Sequence, residues 1–217
     1  MAIALKKTEP QESLVNSFSM SVSGAPRRFT VEEYYQLAEA NILRPDERVE
    51  LIEGEIIAMS PQGTQHASSN QRATRWFVQN LSDRANVRIQ APIRLSEESE
   101  PEPDVVLALL DEDDYHDHHP VPREILLVLE ISFSSLEFDR VRKKRMYAKA
   151  GIRQYCVLNL QARELEDYRQ PAAAGYRSKQ TYGEADEFTL AAFPEITVSV
   201  ADLLPRKLFK HRKRKAS

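Results

Sequence analysis

Cysteine is nearly absent: Cys156 is the only one in 217 residues. That excludes a disulfide framework and a cysteine-rich zinc site, and makes a reducing cytoplasm the expected setting. Long apolar runs are also missing, since none approaches the roughly 18 residues that a membrane-spanning helix needs. The N-terminal stretch MAIALKKTEPQESLVNSFSM has no continuous apolar core of the kind a secretory signal carries. No internal repeat is present. What remains, at 41% hydrophobic and 29% charged residues, is an ordinary globular composition of a length that suits one domain with a substantial core.

Outside the C-terminus, negative charge outnumbers positive. Net charge is −3, yet RKLFKHRKRKAS (206–217) holds seven Lys/Arg and no acid, so without those seven the rest of the chain stands at −10. A dedicated DNA-binding domain usually presents a basic face, and this body is acidic. The tail reads first as a solvated, unstructured end, with a salt-sensitive grip on a polyanion as the functional alternative.

Residues 1–26 are mixed polar and read as unstructured, leaving 27–205 as the single domain ahead of the basic tail. In RRFTVEEYYQLAEA, Thr30 and Glu33 have capping-box spacing, which predicts a helix to about Ala40. RVELIEGEIIAMS reads as a hairpin, Val49–Ile52 against Ile56–Met59 around Glu53-Gly54. Ala67, Trp76, Phe77 and Leu81 suggest the apolar face of a longer helix from Thr64 to about Asp83, with Trp76 and Phe77 core residues rather than a base-stacking platform. Strand signals follow at NVRIQAPIRL, PDVVLALL and EILLVLEIS, then a helix from about Leu136 to Ala150 capped by Gly151. RQYCVLNL is another buried strand, and LEDYRQ and YRSKQTY form an antiparallel pair. The order predicts one α/β domain around a mixed sheet.

Two carboxylates interrupt this pattern. Asp104 heads the apolar run of EPEPDVVLALL, and Glu130 sits near the C-terminal end of EILLVLEIS. Buried carboxylates are costly unless paired, protonated or metal-bound. On neighbouring strands the two could converge on one cation, since Mg²⁺ is commonly held by one or two carboxylates together with waters and phosphate oxygens. Turn capping, or an ion pair with Arg or Lys, is the alternative reading. A basic helix follows Glu130, with Asp139 and Lys143 on one of its faces at i,i+4 spacing. The histidines of DYHDHHP (His116, His118, His119) read as a solvent loop rather than a zinc site, and Glu164, Glu166 and Asp167 alternate too irregularly for a second site.

Together, FTVEEYYQL, RVELIEGEIIAMSPQGTQH, PEPDVVL, VLEISFSSLEFD and MYAKAGIRQYCVL, in order from Phe29 to Leu158, resemble the Uma-type endonuclease family, a large bacterial group within the PD-(D/E)XK superfamily. The resemblance implies a restriction endonuclease-like fold, a mixed central β-sheet flanked by helices with the active site at one sheet edge. It implies a metal-dependent nuclease acting on DNA, with Asp104 and Glu130 ligating Mg²⁺ or Mn²⁺ and the carbonyl of Ile131 as a further ligand. Ser132 stands where the superfamily has its lysine, and Lys143 on the following helix matches the displaced one. Lys144 shares its face with Val141 and Ala148, which are expected to pack against the sheet. Glu50 and His66 match family positions that would help arrange metal-bound water, and Cys156 replaces a common Trp. Dimers are frequent in the superfamily when both strands are cut. The rival from another class is a non-catalytic nuclease-like module that binds nucleic acid or protein. Two-carboxylate glycoside hydrolysis is disfavoured because no sugar-stacking aromatics flank the pair.

Overall fold

The computed structural model describes residues 26–207. Residues 1–25 of the N-terminal segment, and the basic tail beyond Lys207, lie outside the described residues. Helix α1 (Val31–Glu39) starts where its sequence says it should: Thr30 accepts from the Glu33 N–H while the Glu33 carboxylate accepts from the Thr30 N–H. A hairpin follows, β1 (Val49–Ile52) and β2 (Glu55–Ala58), turning through Glu53 and Gly54 with φ of 50° and 76°. Paired positive φ values match the right-handed twist of a two-residue hairpin. Helix α2 (Thr64–Leu81) then buries Ala73, Phe77 and Leu81; Trp76 packs half-buried against the same core, whereas Ala67 faces solvent.

β3 (Asn86–Ile89), β4 (Val105–Ala108), β5 (Ile125–Ser132), β6 (Gln154–Asn159), β7 (Glu164–Ala172) and β8 (Gly175–Gly183) form one six-stranded sheet in chain order. All neighbours are antiparallel except β5 and β6. Parallel neighbours need a crossover, supplied here by the basic helical segment. It is built from α3 (Leu136–Phe138), a π-helical turn (Asp139–Lys143) and α4 (Lys144–Ala150), and Gly151 closes it at φ 84°.

The sheet is covered on both faces, which is why β4, β5 and β6 are near-continuous apolar runs. Val105, Leu107, Leu129 and Leu158 pack against α2, the hairpin β9 (Glu187–Leu190) with β10 (Phe193–Ser199), and α5 (Val200–Leu203). Val106, Val128, Tyr155 and Val157 pack instead against Met146 and Tyr147 of α4 and Ile52 of β1. Among the described residues no helix is long and apolar enough to cross a membrane.

Three sequence expectations need correction. The strand expected over NVRIQAPIRL ends at Ile89, because Gln90 turns to φ 47° and leaves the ladder. β9, β10 and α5 carried no signal: β9 and α5 have four residues each, and β10 contains Pro194 and a register irregularity between Phe193 and Thr197. Val141, expected to pack against the sheet, is 56% exposed. The π-helical turn adds a residue to that turn and so rotates its side chains away from 3.6-residue spacing.

The β1–β2 hairpin is the fold's tightest glycine site. A Cβ on Gly54 would collide with the Arg28 Cβ, at a φ that side chains rarely adopt. Gly54→Ala should therefore destabilise the protein by more than the about 1–2 kcal/mol of left-handed strain alone. Urea unfolding measures this as a lowered midpoint, and an unchanged midpoint would show that the hairpin is dispensable to the fold.

Candidate active site

Register brings the two strand-end carboxylates opposite one another. β4 and β5 pair Val105 with Leu129 and Val106 with Val128, so one further step sets Asp104 across from Glu130. Both belong to the sheet face that carries Val106 and Val128, the face covered by α4 and β1. Asp104 stays 8% exposed, Glu130 3%. Among the described residues neither is paired to an arginine. Asp104 Oδ2 accepts from the Ile131 N–H at 2.8 Å and lies 3.1 Å from His66 Nε2, while Oδ1 accepts from Gln90 Nε2 at 3.2 Å. Glu130 Oε1 accepts from Lys143 Nζ at 3.0 Å and from the Tyr147 hydroxyl at 2.8 Å.

Lys143 reaches this point from the last residue of the π-helical turn and is itself buried. Its ammonium also lies 3.2 Å from Glu50 Oε2, which comes from β1 on the opposite wall. Asp139 does not hold the lysine, contrary to what the shared helical face suggested. Its Oδ2 accepts from Ser132 and Ser135 hydroxyls, both at 2.7 Å, so Ser132 ties the crossover helix to β5. Lys144 points elsewhere, with Nζ 5.3 Å from the centre of the Tyr168 ring.

Glu50, His66, Asp104, Glu130, Ile131 and Lys143 all line one cavity of about 450 Å³ at the strand ends. Ile131 contributes its N–H in the contact described above. His66 stands in the first turn of α2, with its Nδ1 buried and without a hydrogen-bond partner among the described residues. Sequence reasoning missed Gln90, Tyr147 and Glu102. Glu102 lines the cavity two residues before Asp104, and its backbone N–H donates to Glu50 Oε2 at 3.2 Å. The PEPD segment carried that signal in its first acid.

Formal charge here is unbalanced. Among the described residues, Glu50, Asp104, Glu130 and Asp139 are buried acids around a single buried ammonium. Burial pushes the Glu130 carboxyl up to about 8, against the pull of Lys143 and with the help of Asp139, Asp104 and Glu50. Burial also raises Glu102, which Glu50 and Glu100 push further. For Lys143 burial works against the charge, but Glu130, Glu50 and Asp139 outweigh it and hold the ammonium protonated. Burial, with Glu130 beside it, keeps the Tyr147 hydroxyl protonated and donating. An oxygen-rich site short of positive charge suits a hard divalent cation. Glu130 Oε2 and Glu50 Oε1 make no hydrogen bond among the described residues, and both side chains border the cavity. No three His, Cys, Asp or Glu side chains among those residues form a complete cage, so such an ion would keep water or substrate oxygens in its shell.

The remaining candidates are accounted for locally. His118 pairs with Asp117 and Glu124, and His119 lies 3.2 Å from the Tyr35 hydroxyl, with no metal-like cluster among the described residues. Glu166 is held by Arg140 and Lys179, Asp167 by Arg169 and Gln154. Cys156 is fully buried in the core, where burial pushes its thiol well up.

A family model described as "putative restriction endonuclease", Uma2, matches residues 31–201. The chain belongs to the Uma2 family. A crystal structure of a putative nuclease from Anabaena variabilis ATCC 29413 is similar in fold, with a TM-score of 0.62 at 16% identity, covering 81% of this chain and 97% of that one. No curated protein matches the chain. The Uma2 match spans every residue of the cavity named above, and the six-stranded mixed sheet flanked by helices is a nuclease-like fold.

The raised Glu130 carboxyl has a measurable consequence. Between the ordinary 4.5 and about 8, the folded protein holds a proton that the unfolded chain has released. Stability of the metal-free protein should therefore fall as pH rises through that window. Glu130→Gln, which cannot ionise, should flatten the fall; urea midpoints across the window compare the two. Parallel curves would contradict a raised carboxyl.

Proposed function

We propose that the protein is a divalent-metal-dependent endonuclease that hydrolyses phosphodiester bonds in DNA. The observation that carries this reading is the meeting of Asp104, Glu130 and Lys143 in one cavity whose acids outnumber its cations. Family membership supports the nuclease class; fold likeness alone would not supply the chemistry.

Asp104 and Glu130 would hold Mg²⁺ or Mn²⁺, with the Ile131 carbonyl as a further donor. Such an ion supplies Lewis acidity toward the phosphoryl oxygen and lowers the pKa of bound water. The chain's own groups do the rest. Gln90 and the Ile131 N–H fix the Asp104 carboxylate, and Tyr147 and Lys143 fix that of Glu130. Lys143 keeps a permanent positive charge where the pentacovalent phosphorane-like charge would grow, in a site of low dielectric where such a charge counts for more than in water. Glu50 shares the ammonium and aims it from the other side. His66, bonded to Asp104 through Nε2, is placed to orient water at the cavity edge.

Pure protein incubated with plasmid and single-stranded DNA should cleave in Mg²⁺ or Mn²⁺ and not in EDTA. Lys143→Ala should lower the rate by about 10²-fold or more. Lys144→Ala, a surface change, should cost no more than about 0.5 kcal/mol, a factor of two to three. Thermal melts serve as the folding control. DNA bound without cleavage in any metal would favour the non-catalytic module, and activity lost in Lys144→Ala but kept in Lys143→Ala would overturn the lysine assignment.

A further inference from the structure

The acids of the cavity are buried, and its more open lining mixes polar residues such as Gln62, Thr64 and Ser134 with a few apolar ones. Phe133, the first residue after β5, is 43% exposed in that lining, three residues beyond Glu130. Its backbone is held, because the Phe133 carbonyl accepts from Gln161 Nε2 at 2.7 Å. Met59 and Pro61, in the connection from β2 to α2, and Phe138 in α3 also line the cavity. An exposed aromatic ring beside a polar site offers a flat face on which a base can stack.

Access sets a second constraint. Glu50, Asp104, Glu130 and Lys143 are each no more than 8% exposed, so a phosphate must enter the cavity to meet them. At about 450 Å³ the space is of the size that takes a small ligand or a single nucleotide. A duplex is a stiff rod whose bases are stacked inward. A single strand can turn one nucleotide in, and its base then needs an apolar face to replace the stacking it has lost.

We infer that the cavity admits one nucleotide of a single DNA strand, with its phosphate over the carboxylates and its unstacked base lying on Phe133. The inference rests on the nuclease reading and adds strandedness to it. Stacking on an aromatic side chain tolerates any base and is worth about 1–3 kcal/mol by alanine substitution.

The test is equilibrium binding of a short single strand and of its duplex to the full chain in Ca²⁺, with 2-aminopurine as the reporting base. The single strand should bind at least about fivefold more tightly than the duplex, the surplus that one stacked base supplies. Phe133→Ala should weaken single-strand binding by roughly 5- to 150-fold, and Phe133→Tyr should restore it. Quenching of 2-aminopurine by the wild type should be lost in Phe133→Ala. An abasic strand should bind wild type and Phe133→Ala alike. Equal or tighter binding of duplex, or an indifferent Phe133→Ala, overturns the inference; if that protein still cleaves DNA with metal, the nuclease reading survives it. No binding of either form and no cleavage overturns both.

Discussion

A lysine ammonium with almost no solvent exposure, set against two carboxylates, is the interaction around which the rest is arranged. Lys143 meets Glu130 at 3.0 Å and Glu50 at 3.2 Å, and the three side chains come from the crossover helix, β5 and β1. Removing two or more charges from water costs several kcal/mol per ion, which mutual attraction recovers only when geometry is close and spare lone pairs are bonded. The Tyr147 hydroxyl on Glu130 and the Glu102 N–H on Glu50 supply part of that bonding. Even so, the surrounding acids exceed the cations. A fold optimised for stability alone would have apolar residues there, whereas an excess of buried acids suits a hard cation.

Local geometry serves that centre. The crossover demanded by the parallel β5–β6 pair passes directly over the strand ends, and its π-helical turn carries Lys143 inward while Val141 turns out. Ser132 and Ser135 fasten the start of that helix through Asp139, and the Tyr155 hydroxyl donates to the Asp139 carbonyl at 3.0 Å. Arg142 and Arg145 bind the hairpin that bears Glu50, through Glu55, the Ile52 carbonyl and Glu53. The basic residues of this helix thus hold structure together as much as they project charge, which explains how an acidic protein can carry a very basic helix.

Much of this was legible in the residues. Capping-box spacing located α1, the Glu53-Gly54 turn located the first hairpin, and apolar runs located β4, β5 and β6 because all three are covered on both faces. Two acids breaking those runs marked the strand ends that meet. The π-helical turn was invisible, since a one-residue shift in helical phase leaves no compositional trace, and with it went the roles of Asp139 and Val141. β9 and β10 were invisible for another reason: they are short, one is irregular, and their inward residues make sense only against a sheet formed elsewhere in the chain. Glu102, Gln90 and Tyr147 join the site through tertiary placement, and polar residues of that kind carry no periodic signal.

Direct titration of the metal-free protein with Mn²⁺, with free ion followed by electron paramagnetic resonance, tests the proposed cation site without depending on cleavage. The wild type should show saturable binding at one site per chain, and Asp104→Asn should weaken it by at least about tenfold while the fold is retained. Absence of saturable binding, or equal binding by the two proteins, would contradict a cation site between Asp104 and Glu130.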